Sequence, residues 1–155
     1  SGFHIGSYFL YPRSQGFVHL KSSNPVIPPR MKANYIEHQL DRQVSLWGMR
    51  MHRQIADAPS FKKIIVREVR PGIETASDDA LLEYLKETGQ TAWHFIGTCK
   101  MGQDANSVVD SKLRVHGVSG LRVADASVMP FHVSSNTNLP SMAIGEKAAD
   151  LILKR

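Results

Sequence analysis

The feature that most constrains this chain is an apolar series with a helical period. Ile36, Leu40, Val44, Trp47, Met51 and Ile55 follow one another at spacings of four, four, three, four and four. That period puts all six on one face of an α-helix of about six turns, a face that must be buried against something else. Asn34 with Glu37 three residues on has the pattern of a capping box, and Pro59 stops the helix. His38 and His52 fall off the stripe and read as surface histidines.

A second helix is predicted over Asp78 to Thr88. Ser77 is placed as its N-cap, Asp78 and Asp79 lie in its first turn, Leu81, Leu82 and Leu85 pack on one side, and Gly89 sits just past its end. A third closes the chain, with Pro140 in its first turn, Ile144, Ala148, Leu151 and Ile152 on its inner face, and Lys154 and Arg155 at its end. Phe3 to Leu10 and Gly16 to Leu20 read as a hairpin about the turn "PRSQG". The following "SSNPVIPPR" holds three of the eight prolines and reads as a surface linker. Ile64 to Val69 predicts a short strand. Leu-Arg-Val recurs at 113–115 and 121–123 around "HGVSG", which predicts two short strands joined by a glycine-bounded turn.

Composition excludes several classes. The 155 residues, 42% apolar and 21% charged, are those of an ordinary soluble globular domain, and no apolar run nears the roughly 18 residues of a membrane span. The net charge of +5 is scattered, its densest cluster being Lys62 and Lys63 with Arg67 and Arg70, so it reads as solvated surface rather than a nucleic-acid site. A single cysteine allows no internal disulfide, and the opening "SGFHIGSYFL" lacks a signal peptide's basic region and cleavage site, so a reducing cytoplasm is expected. The chain starts without methionine, almost directly in strand-like sequence, as a piece of a longer polypeptide would.

The chemistry concentrates in "WHFIGTCKMG", residues 93–102. Neither G-x-G-x-x-G nor G-x-x-x-x-G-K-S/T occurs anywhere, so the chain holds no recognisable diphosphate loop. Zinc would need clustered ligands, but Cys99 stands alone and His94, His116 and His132 are 22 and 16 residues apart, so no metal is expected. A Cys99–His94 nucleophilic pair lacks a third orienting residue, and Cys99 reads as a small packed side chain. From local sequence, His94 reads first as a satisfied core histidine and second as a catalytic group.

Three ordered motifs change that balance: "WHFIGTCKMG", then "VVDSKLRVHGVSGLRVADASVMP", then "NTNLPSMAIGEKAADLI". Together they resemble the C-terminal portion of the glucose-methanol-choline (GMC) oxidoreductases, FAD-binding flavoenzymes that oxidise alcohols, and in particular the choline dehydrogenase and choline oxidase type. "YPRSQGFVHL", "NYIEHQLDRQVSLWGMRMHRQI" and "RPGIETASDDALLEYLK" also fit, so the resemblance covers essentially the whole chain.

The resemblance implies an α+β fold, an antiparallel sheet backed by helices, with a C-terminal helix that docks on an FAD domain outside this sequence. It implies substrate-domain strands and helices over residues 1–90, and the catalytic motif, flavin-contacting loop and terminal helix over 91–155. His94 becomes the base that takes the substrate hydroxyl proton, and Asn136 the donor that positions the same oxygen. Asp125 and Ala126 match the segment beneath the isoalloxazine, although a carboxylate that only accepts backbone N–H bonds explains Asp125 equally well. Asn136, Thr137, Asn138 and Pro140 lead into the last helix, whose N-terminus would favour negative charge on the flavin pyrimidine ring; Asn138 could instead be only that helix's N-cap.

His116 belongs to the "HGVSG" turn, and His132 to either the substrate pocket or solvent. Trp93, Phe131 and Val133 are pocket walls or core. The implied partners are a small-molecule alcohol and the N-terminal FAD-binding portion of the same enzyme, without which no turnover is expected. Two other readings compete: a catalytically inactive binding or assembly module, and a flavin-containing lyase of the same fold.

Overall fold

The first long helix, α1, runs over Gln39–Ala56, starting three residues after Ile36, the first residue of the apolar series. A computed structural model describes residues 1–153 and explains why. Asn34 and Ile36 have φ of 54° and 51°, in the left-handed region where no right-handed helix can begin. His38 is the cap in place of Asn34, its Nδ1 accepting the Leu40 N–H at 3.1 Å. The buried side of α1 is also rotated from the predicted one, since Asp41, Leu46 and Gly48 are inside while Trp47 is 61% exposed.

The chain divides into two compact units, residues 1–14 with 34–92, and residues 15–33 with 93–155. In the first, the N-terminal segment is not the strand its aromatic content predicts. Its turn is anchored instead on α1, where the Asp41 carboxylate accepts the Arg13 N–H at 2.9 Å and the Ser14 N–H at 2.7 Å. A Cβ on Gly48 would meet Ser7 Oγ at 2.7 Å, so the helix stays bare where this segment lies over it. Burial alone would raise the Asp41 pKa. The hydrogen bonds from Ser14 and Arg13, with the nearby His38 charge, outweigh it and hold the carboxyl below its usual value.

Pro59 opens a second short helix, α2, over Pro59–Lys62. Ile64 to Val69 form no strand, and Val66 is 97% exposed. The stretch is tied down as a loop: the Arg53 guanidinium pairs with Glu68 at 2.9 Å and donates to the Gly72 and Thr75 carbonyls, both at 3.0 Å. Apolar alternation makes a strand only where a neighbouring strand takes up its backbone groups. Helix α3, Asp78–Thr88, has the predicted bounds and caps, with Ser77 Oγ accepting the Ala80 N–H at 3.2 Å and the Gly89 N–H reaching Leu85 O at 2.8 Å. Leu81 is its buried anchor, 1% exposed, and α3 packs against α1. His52 on α1 is half-buried rather than a surface histidine, and burial pushes its pKa down.

The second unit holds the sheet, two antiparallel strands β1 (Phe17–His19) and β2 (Arg30–Lys32), with Val18 opposite Met31. The hairpin thus forms one segment later than predicted: the proline-rich stretch is the connection of a hairpin, turned by the Ile27 N–H to Asn24 O bond at 3.1 Å. The α+β class stands, with helices dominating and the sheet reduced to this pair. The two Leu-Arg-Val segments pair as expected, but through isolated bridges. The Val115 N–H meets Leu121 O at 3.0 Å and the Val123 N–H meets Leu113 O at 3.1 Å. Gly117 and Gly120, at φ of 75° and 76°, make the turn between them, a conformation that a Cβ would strain.

The core of this unit is Val109, Leu113, Val128 and Ala148, with Met101, Val115, Val123, Ile144 and Leu151 packed on it. The last helix, α4 (Asn138–Leu153), contributes Ile144, Ala148 and Leu151 as the pattern predicts, while Ile152 is exposed. Lys154 and Arg155, expected at its end, lie outside the described residues. No helix among the described residues is long and apolar enough to cross a membrane.

Candidate functional site

Residues 93–102 form neither helix nor strand, yet they are fixed at several points. The Cys99 N–H donates to Ser127 O at 3.0 Å and the Met101 N–H to Val128 O at 2.8 Å, pinning the segment to the 3₁₀ turn Ala126–Val128. Asp125 caps that turn, its Oδ1 accepting the Ser127 N–H at 2.8 Å and the Ser127 hydroxyl. Its structural role is therefore direct: the carboxylate shapes the turn against which the histidine-bearing segment is tied. Trp93 has φ of 59° and Gly97 φ of 81°. A bulky residue in that region costs of order 1–3 kcal/mol and persists only where the surroundings over-determine it. Here the strained residue immediately precedes His94.

His94 is half-buried, and its Nδ1 lies 3.0 Å from Thr137 Oγ1 and 3.4 Å from the Thr137 backbone nitrogen. Thr137 is 43 residues away in the chain and only 7% exposed. It immediately precedes α4 and starts it: its carbonyl accepts the Ser141 N–H at 3.0 Å and the Ser141 hydroxyl at 2.7 Å. Asn138, offered by the sequence as the N-cap, is instead the first helical residue. A capping hydroxyl takes the N–H of the second or third helical residue. The third is Pro140, which has none.

With Nδ1 engaged, Nε2 is the nitrogen of His94 that can meet a small molecule. The structure thus brings His94 to Thr137, and with it Asn136, the next residue back along the chain, whose carbonyl accepts the Ser135 hydroxyl at 3.1 Å. The threonine contact was not legible as such, because sequence reasoning marked Thr137 only as part of the loop leading to the helix. Its signal is the threonine at a cap position three residues before a proline, where its hydroxyl has little to cap. His132 is the second residue the sequence left undecided. It is half-buried, and burial first, then the charge of His94, lower its pKa, so the two imidazoles share an electrostatic environment.

His116 is taken up elsewhere, its Nε2 facing the Gly102 carbonyl at 3.1 Å, which fits the turn role. Cys99 is a half-buried free thiol. Trp93, Phe95, Phe131, Leu139 and Met142 expose apolar surface in this unit, whereas Val133 is half-buried. No group of three or more His, Cys, Asp or Glu that could hold a metal ion occurs among the described residues.

In this unit an irregular, strained segment thus holds one histidine against the residue that starts the last helix. The chain belongs to the GMC oxidoreductase family, whose C-terminal region it matches over residues 12–145. It is 41% identical over 146 residues to an alcohol dehydrogenase (acceptor) of Pseudomonas putida, and 43% identical over 152 residues to an oxygen-dependent choline dehydrogenase of Cronobacter sakazakii. These alignments cover 94% and 98% of this chain but 26% and 27% of the relatives. Among solved structures it is similar to an FAD-dependent oxidoreductase of Chaetomium thermophilum, with a TM-score of 0.86, 33% identity, and 94% of this chain and 25% of that one covered. It is also similar to a fungal aryl-alcohol oxidase, with a TM-score of 0.79, 35% identity, and 94% and 24% covered. The chain therefore spans about a quarter of the length of the relatives it matches.

Proposed function

We propose that this chain is the C-terminal substrate-binding and catalytic part of an FAD-dependent oxidoreductase that converts a primary or secondary alcohol to an aldehyde or ketone. The observation that carries the reading is the bracing of His94 at Nδ1 by Thr137, which commits Nε2 to the substrate. The names of the relatives, an alcohol dehydrogenase, a choline dehydrogenase and an aryl-alcohol oxidase, support the substrate class.

His94 accepts the hydroxyl proton, and the resulting imidazolium stabilises alkoxide character on the oxygen. The Asn136 amide donates to that oxygen without competing for its proton. The residues also fit the cofactor: the start of α4 offers the N–H groups of Asn138 and Leu139 and the Asn138 amide, neutral donors that suit the carbonyl-rich edge of a flavin. Asn136, Thr137, Asn138 and Pro140 frame that end of the site, with Pro140 shaping the helix start rather than donating, and Asp125 and Ala126 form the second edge. FAD supplies the acceptor for the hydride that leaves the carbinol carbon.

The remaining partner is the N-terminal FAD-binding portion, onto which α4 docks. The test joins this chain to that portion and follows flavin reduction by a panel of alcohols. Loss of reduction on His94→Ala and weakened reduction on Asn136→Ala are expected. Reduction rates unchanged by His94→Ala would refute the assignment, and turnover of a cyanohydrin without flavin reduction would favour the lyase.

A further inference from the structure

We infer that the alcohol taken at His94 is neutral and carries a bulky apolar group, an aromatic ring or a long alkyl chain, rather than a fixed cation or further hydroxyls. Resting on the reading of His94 as the base of an alcohol oxidation, that assignment adds the chemistry of the rest of the substrate. Residues 130–136, "PFHVSSN", are strung between two points on the His94 segment. At one end the Met129 carbonyl lies 3.4 Å from where a Cβ on Gly97 would be, and at the other Thr137 Oγ1 is 3.0 Å from His94 Nδ1. His94 and Gly97 are at most about 11 Å apart along extended chain, so the connection must arch beside the histidine. His132, in that arch, feels the charge of His94, as such a path requires.

Both segments leave large apolar side chains on the outside here. Trp93 and Phe131 are each 74% exposed and Phe95 57%, with Val133 half-buried. Trp93 and Phe95 flank His94 in the chain, and Phe131 and Val133 flank His132. An apolar lining with a few polar groups at its centre is the usual form of a small-molecule site. Charge narrows the ligand further. Residues 93–102 and 129–137 hold no Asp or Glu, and their titratable groups are His94, Cys99, Lys100 and His132. Asp104 and Asp125, just outside them, are taken up by Lys100 and Ser107 and by Ser127. A substrate cation would therefore find no counter-charge from this chain and would face the imidazolium that forms on proton uptake. Aromatic faces attract cations, but that attraction works against the new charge on His94. A further hydroxyl pressed on Phe95 or Phe131 would lose its water and gain no partner from the ring.

The test uses the assembled flavoprotein, this chain with its N-terminal FAD-binding portion, and follows flavin reduction by matched alcohols. From ethanol to hexanol kcat/KM should rise about fourfold per methylene, the worth of one buried CH₂. Benzyl alcohol should exceed choline and glycerol by about tenfold or more. Phe131→Ala should flatten the alkanol slope, with hexanol losing more than ethanol. A flat series, or choline or glycerol as the better substrate, would overturn the inference and leave alcohol oxidation standing. A slope unchanged in both Phe131→Ala and Phe95→Ala would overturn it too, by placing the apolar contact elsewhere. Should either variant misfold, the series on the unsubstituted flavoprotein decides alone. Reduction by none of the alcohols would overturn it together with the reading of His94 beneath it.

Discussion

Two helices begin with a hydroxyl residue, and they use it in opposite ways. At α3, Ser77 Oγ accepts the Ala80 N–H and satisfies its own helix. At α4, Thr137 gives the helix only its carbonyl, and its hydroxyl reaches 43 residues back to His94. The difference lies one turn downstream, where α3 has an N–H to cap and α4 has Pro140. A cap serves local stability, whereas a hydroxyl released from capping is free for long-range positioning.

The contrast can be broken most severely at the histidine. In the assembled flavoprotein, His94→Ala should slow flavin reduction by about 10²–10⁴-fold, the usual worth of a positioned base, with little change in melting temperature. Stopped-flow absorbance measures the first and calorimetry the second. Thr137→Val should lower the same rate by about tenfold or more, less than loss of the base itself, with Thr137→Ser restoring most of it. Equal rates in Thr137→Val and the unsubstituted protein would make the threonine another ordinary cap.

On the structural side, Asp41→Ala should destabilise the first unit by about 2–3 kcal/mol in urea titration, because it leaves the Arg13 and Ser14 N–H groups without their acceptor. Ser77→Ala should cost about 1 kcal/mol and leave flavin reduction unchanged. The smallest effect is on pH. His52 and His132 have pKa values below those of the unfolded chain, so the unfolded state binds more protons as pH falls. Stability is therefore full above about pH 6.5 and declines as pH drops through and below it. Melting temperatures between pH 8 and 5 for the protein and for His52→Gln and His132→Gln check this, each variant flattening the acid limb. A limb that steepens would reverse the sign.

Legibility divided along the same line. Ser77, Gly89 and the bounds of α3 were plain, because caps and breakers act within one helical turn. The end of α1 and the Leu-Arg-Val pairing were legible for the same reason. Its beginning was not, since the left-handed backbone of Asn34 and Ile36 leaves no mark on apolar spacing. The aromatic stretch at the N-terminus and "IIVREV" were misread as strands because β-propensity describes a half-buried surface, and whether a partner strand exists is a matter of tertiary fold. Proline-rich "SSNPVIPPR" turned out to join β1 to β2, which composition could not reveal.

By itself, then, the sequence determined what depends on local chemistry and motif order: an α+β chain of the GMC oxidoreductase family, two well-marked helices, and His94 as the residue to watch. Only the tertiary structure decided what depends on residues far apart in the chain. It turned α1 so that Asp41 faces inward, made Asp125 the cap of the turn that holds residues 99–101, and set Thr137 against His94. A side chain's partner across 43 residues is chosen by how the intervening chain packs, and no periodicity or local spacing records that choice.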